Sequence, residues 1–246
     1  KCKTAIDALF AALSPDYLVL LGSGDVIPYF KVSNPSFDPG GDDDNEVPTD
    51  NPYACSRPYK KAKRQSYLIP DRVVGRIPDL PGKNPDPAWL LDYLKVAEAW
   101  KLSTTKDYSD DLFVCCDEWK KAGAACVSYL SRQVNRLMIS PPVTEKAPST
   151  LAKRYGARFQ MIKCHGASLD SSFYGQKGPS YPSVIHSPLL RGKTVARTVV
   201  GAMCCYGASV FDPLDPAALA AGEPPIPSLY LRQGAYGVFG SCTIGS

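Results

Sequence analysis

Phe159-Gln160-Met161-Ile162-Lys163-Cys164 runs into His165-Gly166-Ala167-Ser168, and this stretch decides the fold class. A short, largely apolar run that stops at a glycine turn reads as a strand, here one that delivers an imidazole to its carboxyl end. Working outward, a second such run over residues 195–203 leads into Met203-Cys204-Cys205-Tyr206-Gly207-Ala208, so the next strand ends on a thiol. Further strand candidates cover 17–22, 72–77, 111–116 and 235–240. Helical apolar spacing marks 5–13, which stops at Ser14-Pro15, and also 89–100 and 124–137. Strands alternating with helices predict one α/β domain with a mainly parallel central sheet of about six strands flanked by helices. The continuous apolar run at 17–22 predicts a strand covered on both faces. Between these elements lie a long acidic loop, 33–58, with Asp42-Asp43-Asp44 in its middle, and a proline-punctuated connection, 78–87. No internal repeat is visible.

Composition narrows the function classes. The chain has 246 residues, 44% of them hydrophobic, which is too apolar for a disordered tail and sufficient for a large core. Twenty-eight Lys and Arg against 24 Asp and Glu leave +4 without a basic stripe, so nucleic acid is not an expected direct partner. No apolar run approaches the length of a membrane span, so no membrane partner is expected either. Nine cysteines, two pairs of them adjacent at Cys115-Cys116 and Cys204-Cys205, fit reduced thiols in a cytoplasm better than a disulfide framework. The chain starts at Lys1 and its last residues still read as a strand end, so residues 1–246 are expected to be a single domain excised from a longer protein.

In open α/β sheets, chemistry collects beyond the carboxyl ends of the strands. If the two strands are neighbours, His165 and the Cys204-Cys205 pair share one edge. A thiol of ordinary pKa is only partly ionised at neutral pH; a nearby imidazole raises its thiolate fraction and later protonates a leaving amine. Gly166 and Gly207 leave room for a substrate backbone, and amides at such turns can serve as oxyanion donors. The plainer reading is a core thiol beside an ordinary turn. His186, between Ile185 and Ser187-Pro188, has no such glycine beside it. Without a C-x-x-C pair a zinc site is not expected, and no cofactor is called for. Gly22-Ser23-Gly24-Asp25 follows a strand, but it lacks the third glycine of a dinucleotide fingerprint and the Gly-Lys-Ser/Thr of a phosphate loop.

With these residues in view, the chain resembles the caspase, legumain and gingipain clan of cysteine peptidases, and most of all its bacterial gingipain-like branch. That clan places a His-Gly after one strand and a cysteine turn after the next, as in His165-Gly166 and Cys204-Cys205-Tyr206-Gly207. Other stretches are similar and fall in the same order: residues 17–22 with Asp25-Val26-Ile27-Pro28, Thr49-Asp50-Asn51-Pro52-Tyr53-Ala54, and Val73-Val74-Gly75-Arg76-Ile77. Phe173-Tyr174-Gly175-Gln176 and the stretch from Gln233-Gly234-Ala235 to Gly240-Ser241 continue the series. The resemblance implies a caspase-hemoglobinase-like sandwich and a cysteine endopeptidase acting on protein or peptide substrates. It implies His165 as general base and acid, Cys205 as nucleophile and Gly166 as an oxyanion donor. Cys204 is the alternative nucleophile: a C-x-x-G spacing selects it, whereas C-x-G spacing selects Cys205 and puts a small residue before it. By analogy with the Arg-specific members, Asp117 and Glu118 would line a pocket for a basic residue, with Gly207 at the substrate; helix capping is their competing role. A regulatory or sensor domain elsewhere in the longer chain is a further expectation, and a catalytically idle scaffold is the alternative function.

Overall fold

The computed structural model describes residues 1–34, 36–61, 64–79, 86–100, 102, 104–130, 132–146, 151–210, 217 and 223–245. Strands take their labels in chain order. In the first part of the chain they are β1 (Tyr17–Leu21), β2 (Phe30–Ser33), β3 (Glu46–Thr49) and β4 (Val73–Ile77). The central part holds β5 (Asp111–Cys116), β6 (Leu137–Ser140), β7 (Phe159–Lys163) and β8 (His165–Gly166). The last are β9 (Ser172–Tyr174), β10 (Ser183–His186), β11 (Val199–Ala202) and β12 (Gly237–Gly240).

The centre is a five-stranded sheet, ordered β12-β11-β7-β5-β6 and parallel at every pairing. Every residue of β5 is buried, as a parallel strand covered on both faces requires. Parallel neighbours need crossovers, and helices supply them. Helix α1 spans Cys2–Leu13, α2 spans Pro87–Glu98, and α3, Lys120–Tyr129, connects β5 to β6. A further helix, Ile226–Arg232, precedes β12 and packs on α2, where Tyr93 donates its hydroxyl to the Ser228 carbonyl at 2.9 Å. Helix α2 starts two residues before the expected Trp89, because Asp86 caps the Ala88 amide at 2.9 Å and Pro87 fits the first turn.

Three features differ from the sequence reading. First, 17–22 and 72–77 do not join the central sheet: β1 and β4 form their own parallel pair, and the central sheet reaches five strands by including β6. Second, this pair is covered on one face only. Ile6 and Phe10 of α1 pack with Leu20 and Tyr53 on that side, while Tyr17, Val19, Leu21 and Val73 are exposed on the other. Third, the helix expected over 124–137 ends at Tyr129, and Leu137 opens β6, paired with Phe113. Val127, Leu130, Val134 and Leu137 have helical spacing, but pairing with the buried β5 gives the last of them a better place. The expected strand 195–203 is shorter, Val199–Ala202. Of the proline-punctuated connection, residues 80–85 lie outside the described residues.

Turns of the first 77 residues meet at one side chain. Arg76 on β4 forks onto both Asp50 carboxylate oxygens at 2.7 Å, and also donates to the carbonyls of Gly22 and Ile27. A bidentate guanidinium is suited to this because its donors lie in one rigid plane. The acidic loop closes the antiparallel hairpin β2–β3, and Asp42 organises it by accepting from Asn34 Nδ2 at 2.9 Å and the Asp44 amide at 3.2 Å.

Candidate active site

The central sheet brings the two chemical segments together. β7 and β11 are direct parallel neighbours, Ala202 opposite Ile162, so the chain leaving each strand emerges at the same edge. From β7 come Cys164, His165 and Gly166; from β11 come Met203, Cys204 and Cys205. Contact between the two turns is close. A Cβ built on Gly166 would lie 2.0 Å from the Cys205 carbonyl oxygen, so only glycine allows the approach.

The two adjacent cysteines have opposite environments. Cys204 is 3% exposed, its thiol donating to the Ile162 carbonyl at 3.5 Å inside the core, and burial pushes that thiol far above its usual range. Below it lie Cys164 and Cys116, also buried, with Cys116 Sγ 3.5 Å from the Tyr174 carbonyl. Cys205 is partly exposed, and its thiol points toward the Gly245 carbonyl at 3.8 Å. Alternation explains the difference: successive residues leaving a strand face opposite ways.

The turn after Cys205 is tightly specified. Tyr206 sits at φ 55°, in the left-handed region, and its amide donates to the Thr243 carbonyl at 2.7 Å. Gly207 is buried, its amide closing on the Cys204 carbonyl at 3.0 Å; a Cβ there would meet the Ala202 oxygen at 2.6 Å. The Tyr206 hydroxyl donates to Asp44 Oδ2 at 2.7 Å, which ties the acidic hairpin to this turn. Burial, followed by the Asp44 carboxylate, holds the phenol well above its usual pKa. Asp44 is therefore a site neighbour to which sequence reading had assigned no role.

His165 opens a small antiparallel sheet, β8-β9-β10, in which it pairs with Tyr174. Its ring lies against Trp119 at a centroid distance of 4.3 Å and meets the edge of Tyr181 at 5.1 Å. Its Nε2 is 2.7 Å from Gln176 Oε1. Gln176 follows Gly175, which has no room for a side chain because a Cβ would meet Ser140 Oγ at 2.1 Å. Neither Trp119, Tyr181 nor Gln176 was singled out for a role by sequence; the fold-back of β9 on β8 delivers the last of them.

The acidic pair is placed beside this aromatic cluster. Glu118 accepts from the Gly178 amide at 2.9 Å. Asp117 pairs with Lys120 at 3.2 Å and Lys177 at 3.9 Å. Helix α3 begins without a side-chain cap bond, and both carboxylates stand in the first turn of the short helical segment Asp117–Trp119 that leads into it, where a helix start favours negative charge. His186 lies on β10 with its Nδ1 3.9 Å from Glu145. Among the described residues there is no group of three or more His, Cys, Asp or Glu that would hold a metal ion, and no helix long and apolar enough to cross a membrane.

Among solved structures, that of the Arg-specific cysteine proteinase gingipain R matches 98% of this chain at a TM-score of 0.58. The fold resembles that of gingipain R. Identity to it is 13%, so the likeness extends to the fold alone, and the chain spans about half of that structure, 52%. No protein-family model matches the chain, nor does any curated protein.

Proposed function

We propose that this chain is a cysteine endopeptidase domain in which His165 and Cys205 cleave peptide bonds. The observation that carries the reading is the packing of Gly166, the residue after His165, against the backbone of Cys205 at neighbouring strand ends. The likeness in fold to a cysteine proteinase supports the same class of reaction.

In this reading the imidazole takes the Cys205 thiol proton, and the thiolate attacks the substrate carbonyl carbon. Amide donors at Gly166 and Cys205 stabilise the oxyanion of the tetrahedral intermediate. The imidazolium then protonates the departing amine, leaving a thioester that water hydrolyses with the imidazole again acting as base. Cys204, held in the core, serves as a packing residue beneath the nucleophile. Asp117 and Glu118 belong to the same proposal as the acidic side of the cleft, favouring Arg or Lys before the cut bond.

Proteome-derived peptide libraries incubated with the wild type, Cys205→Ala and His165→Ala test this. Cleavage by the wild type alone, enriched after basic residues, is the expected result. Cleavage persisting in Cys205→Ala refutes the nucleophile, and cleavage after acidic or small residues refutes the basic preference. A wild type that cuts nothing while binding a protein partner returns the idle scaffold.

A further inference from the structure

We propose that Gln176 is the positioning residue for His165, fixing the ring so that Nε2 carries the proton and Nδ1 is the atom that exchanges a proton with Cys205. The inference rests on the peptidase reading for its catalytic meaning; its structural content stands separately.

The orientation of the Gln176 amide is determined by its surroundings. Its nitrogen lies 3.3 Å from the Gly178 carbonyl oxygen and 2.9 Å from the Tyr181 hydroxyl. A backbone carbonyl can only accept, so the NH₂ end must face Gly178 and the oxygen must face His165. That oxygen, 2.7 Å from Nε2, can only accept in its turn. Nε2 is therefore the protonated nitrogen, and in the neutral ring Nδ1 is left as the acceptor.

Three further contacts hold the arrangement. Glu118 accepts from the Gly178 backbone amide, Gly175 is pressed against Ser140, and the backbone amide of Gln176 donates to the Ser140 carbonyl at 3.2 Å. Trp119 and Tyr181 bracket the ring and restrict its rotation. The charged groups on the elements packed around it are Asp117, Glu118, Lys163 and Lys177, with Lys163 Nζ over the Trp119 ring at 5.3 Å. None of these carboxylates bonds to the imidazole; the orienting acceptor is a neutral amide. In the proton step, the Cys205 S–H bond breaks as an N–H bond forms at Nδ1, giving thiolate and imidazolium; the same proton later leaves Nδ1 for the amine nitrogen of the cleaved peptide. Gln176 holds the Nε2 proton throughout and transfers none.

The chain has only two histidines, which makes the test direct. Long-range ¹H–¹⁵N spectra of the wild type, assigned with His186→Ala, should show His165 as the Nε2–H tautomer; a dominant Nδ1–H form overturns the proposal without reference to activity. Gln176→Ala and the too-short Gln176→Asn should mix the tautomers and lower kcat by about 10- to 100-fold with KM little changed. Gln176→Glu restores an acceptor, so it should recover much of kcat and move the acid limb of the pH profile upward, because a carboxylate stabilises the imidazolium and the free base forms only at higher pH. Equal loss in all three variants, or an unchanged tautomer in Gln176→Ala, refutes the role. A wild type with the Nε2–H tautomer but no cleavage refutes the peptidase reading and leaves the positioning intact.

Discussion

Replacing Gly166 with alanine probes the contact on which the site depends. The added Cβ falls 2.0 Å from the Cys205 carbonyl oxygen and 3.4 Å from the Phe173 ring, whereas real Cβ contacts below 3.0 Å are essentially absent. The obstructing atom is backbone, so it cannot rotate away, and the histidine and cysteine turns must separate by about 1 Å. A misplacement of that size at reacting groups costs about 100-fold in rate. The substitution also overpacks the interior, for about 1–3 kcal/mol of stability. Because Gly166 is not in the left-handed region, backbone strain contributes nothing and the effect is steric alone. The assay is kcat/KM on a peptide taken from the cleavage screen, paired with urea unfolding to show that the variant is folded under assay conditions. Gly75→Ala is the control, since a Cβ there meets nothing within 4 Å. Gly166→Ala retaining kcat/KM within about threefold of wild type would refute the proposed meeting of the two turns.

Two other perturbations follow from the same structure. Iodoacetamide should label Cys205 in the native protein and leave Cys204 unreacted until urea is added, because Cys204 is buried and its thiol is pushed far up; peptide mapping that finds Cys204 labelled first overturns the assignment of the nucleophile. Asp7 of α1 is bonded by Lys3 and Arg72, and although burial opposes its ionisation, those bonds and charges hold its carboxyl below the usual 3.8. A depressed folded value means this stabilisation is present above the unfolded value and lost as pH falls through the folded one. Asp7→Asn should therefore lower the urea midpoint at pH 7, and its difference from wild type should shrink as the pH falls below the usual carboxylate range; the same drop at every pH contradicts the linkage.

How far the sequence could be read depended on burial and on range. β5 was legible because a strand covered on both faces needs a nearly continuous apolar run, and β7 because a short, largely apolar run stops at a glycine turn. β6 was not, since four residues at a sheet edge present too little alternation to outweigh the helical spacing that leads into Leu137. The separation of β1 and β4 from the central sheet was also invisible: apolar content identifies a strand but not its neighbour, and β1 has the exposed residues Tyr17, Val19 and Leu21 on one face. The adjacency of His165 and Cys205 could be anticipated from two strand ends alone, given neighbouring strands. Gln176 could not, because its approach to the ring depends on the register that sets His165 opposite Tyr174. The partner of Tyr206 was further still from view, 162 residues away at Asp44.

That last bond bears on what holds the cysteine turn in shape. A non-glycine residue in the left-handed region carries a cost of roughly 1–2 kcal/mol, and Tyr206 adopts it at the turn beside Cys205. No strand of the central sheet pairs with the β2–β3 hairpin. The turn's final shape draws on both, through Thr243 on one side and Asp44 on the other. The turn beside Cys205 is thus a joint product of distant parts of the chain: without the amino-terminal hairpin, Tyr206 would keep its bond to Thr243 and lose its partner at Asp44.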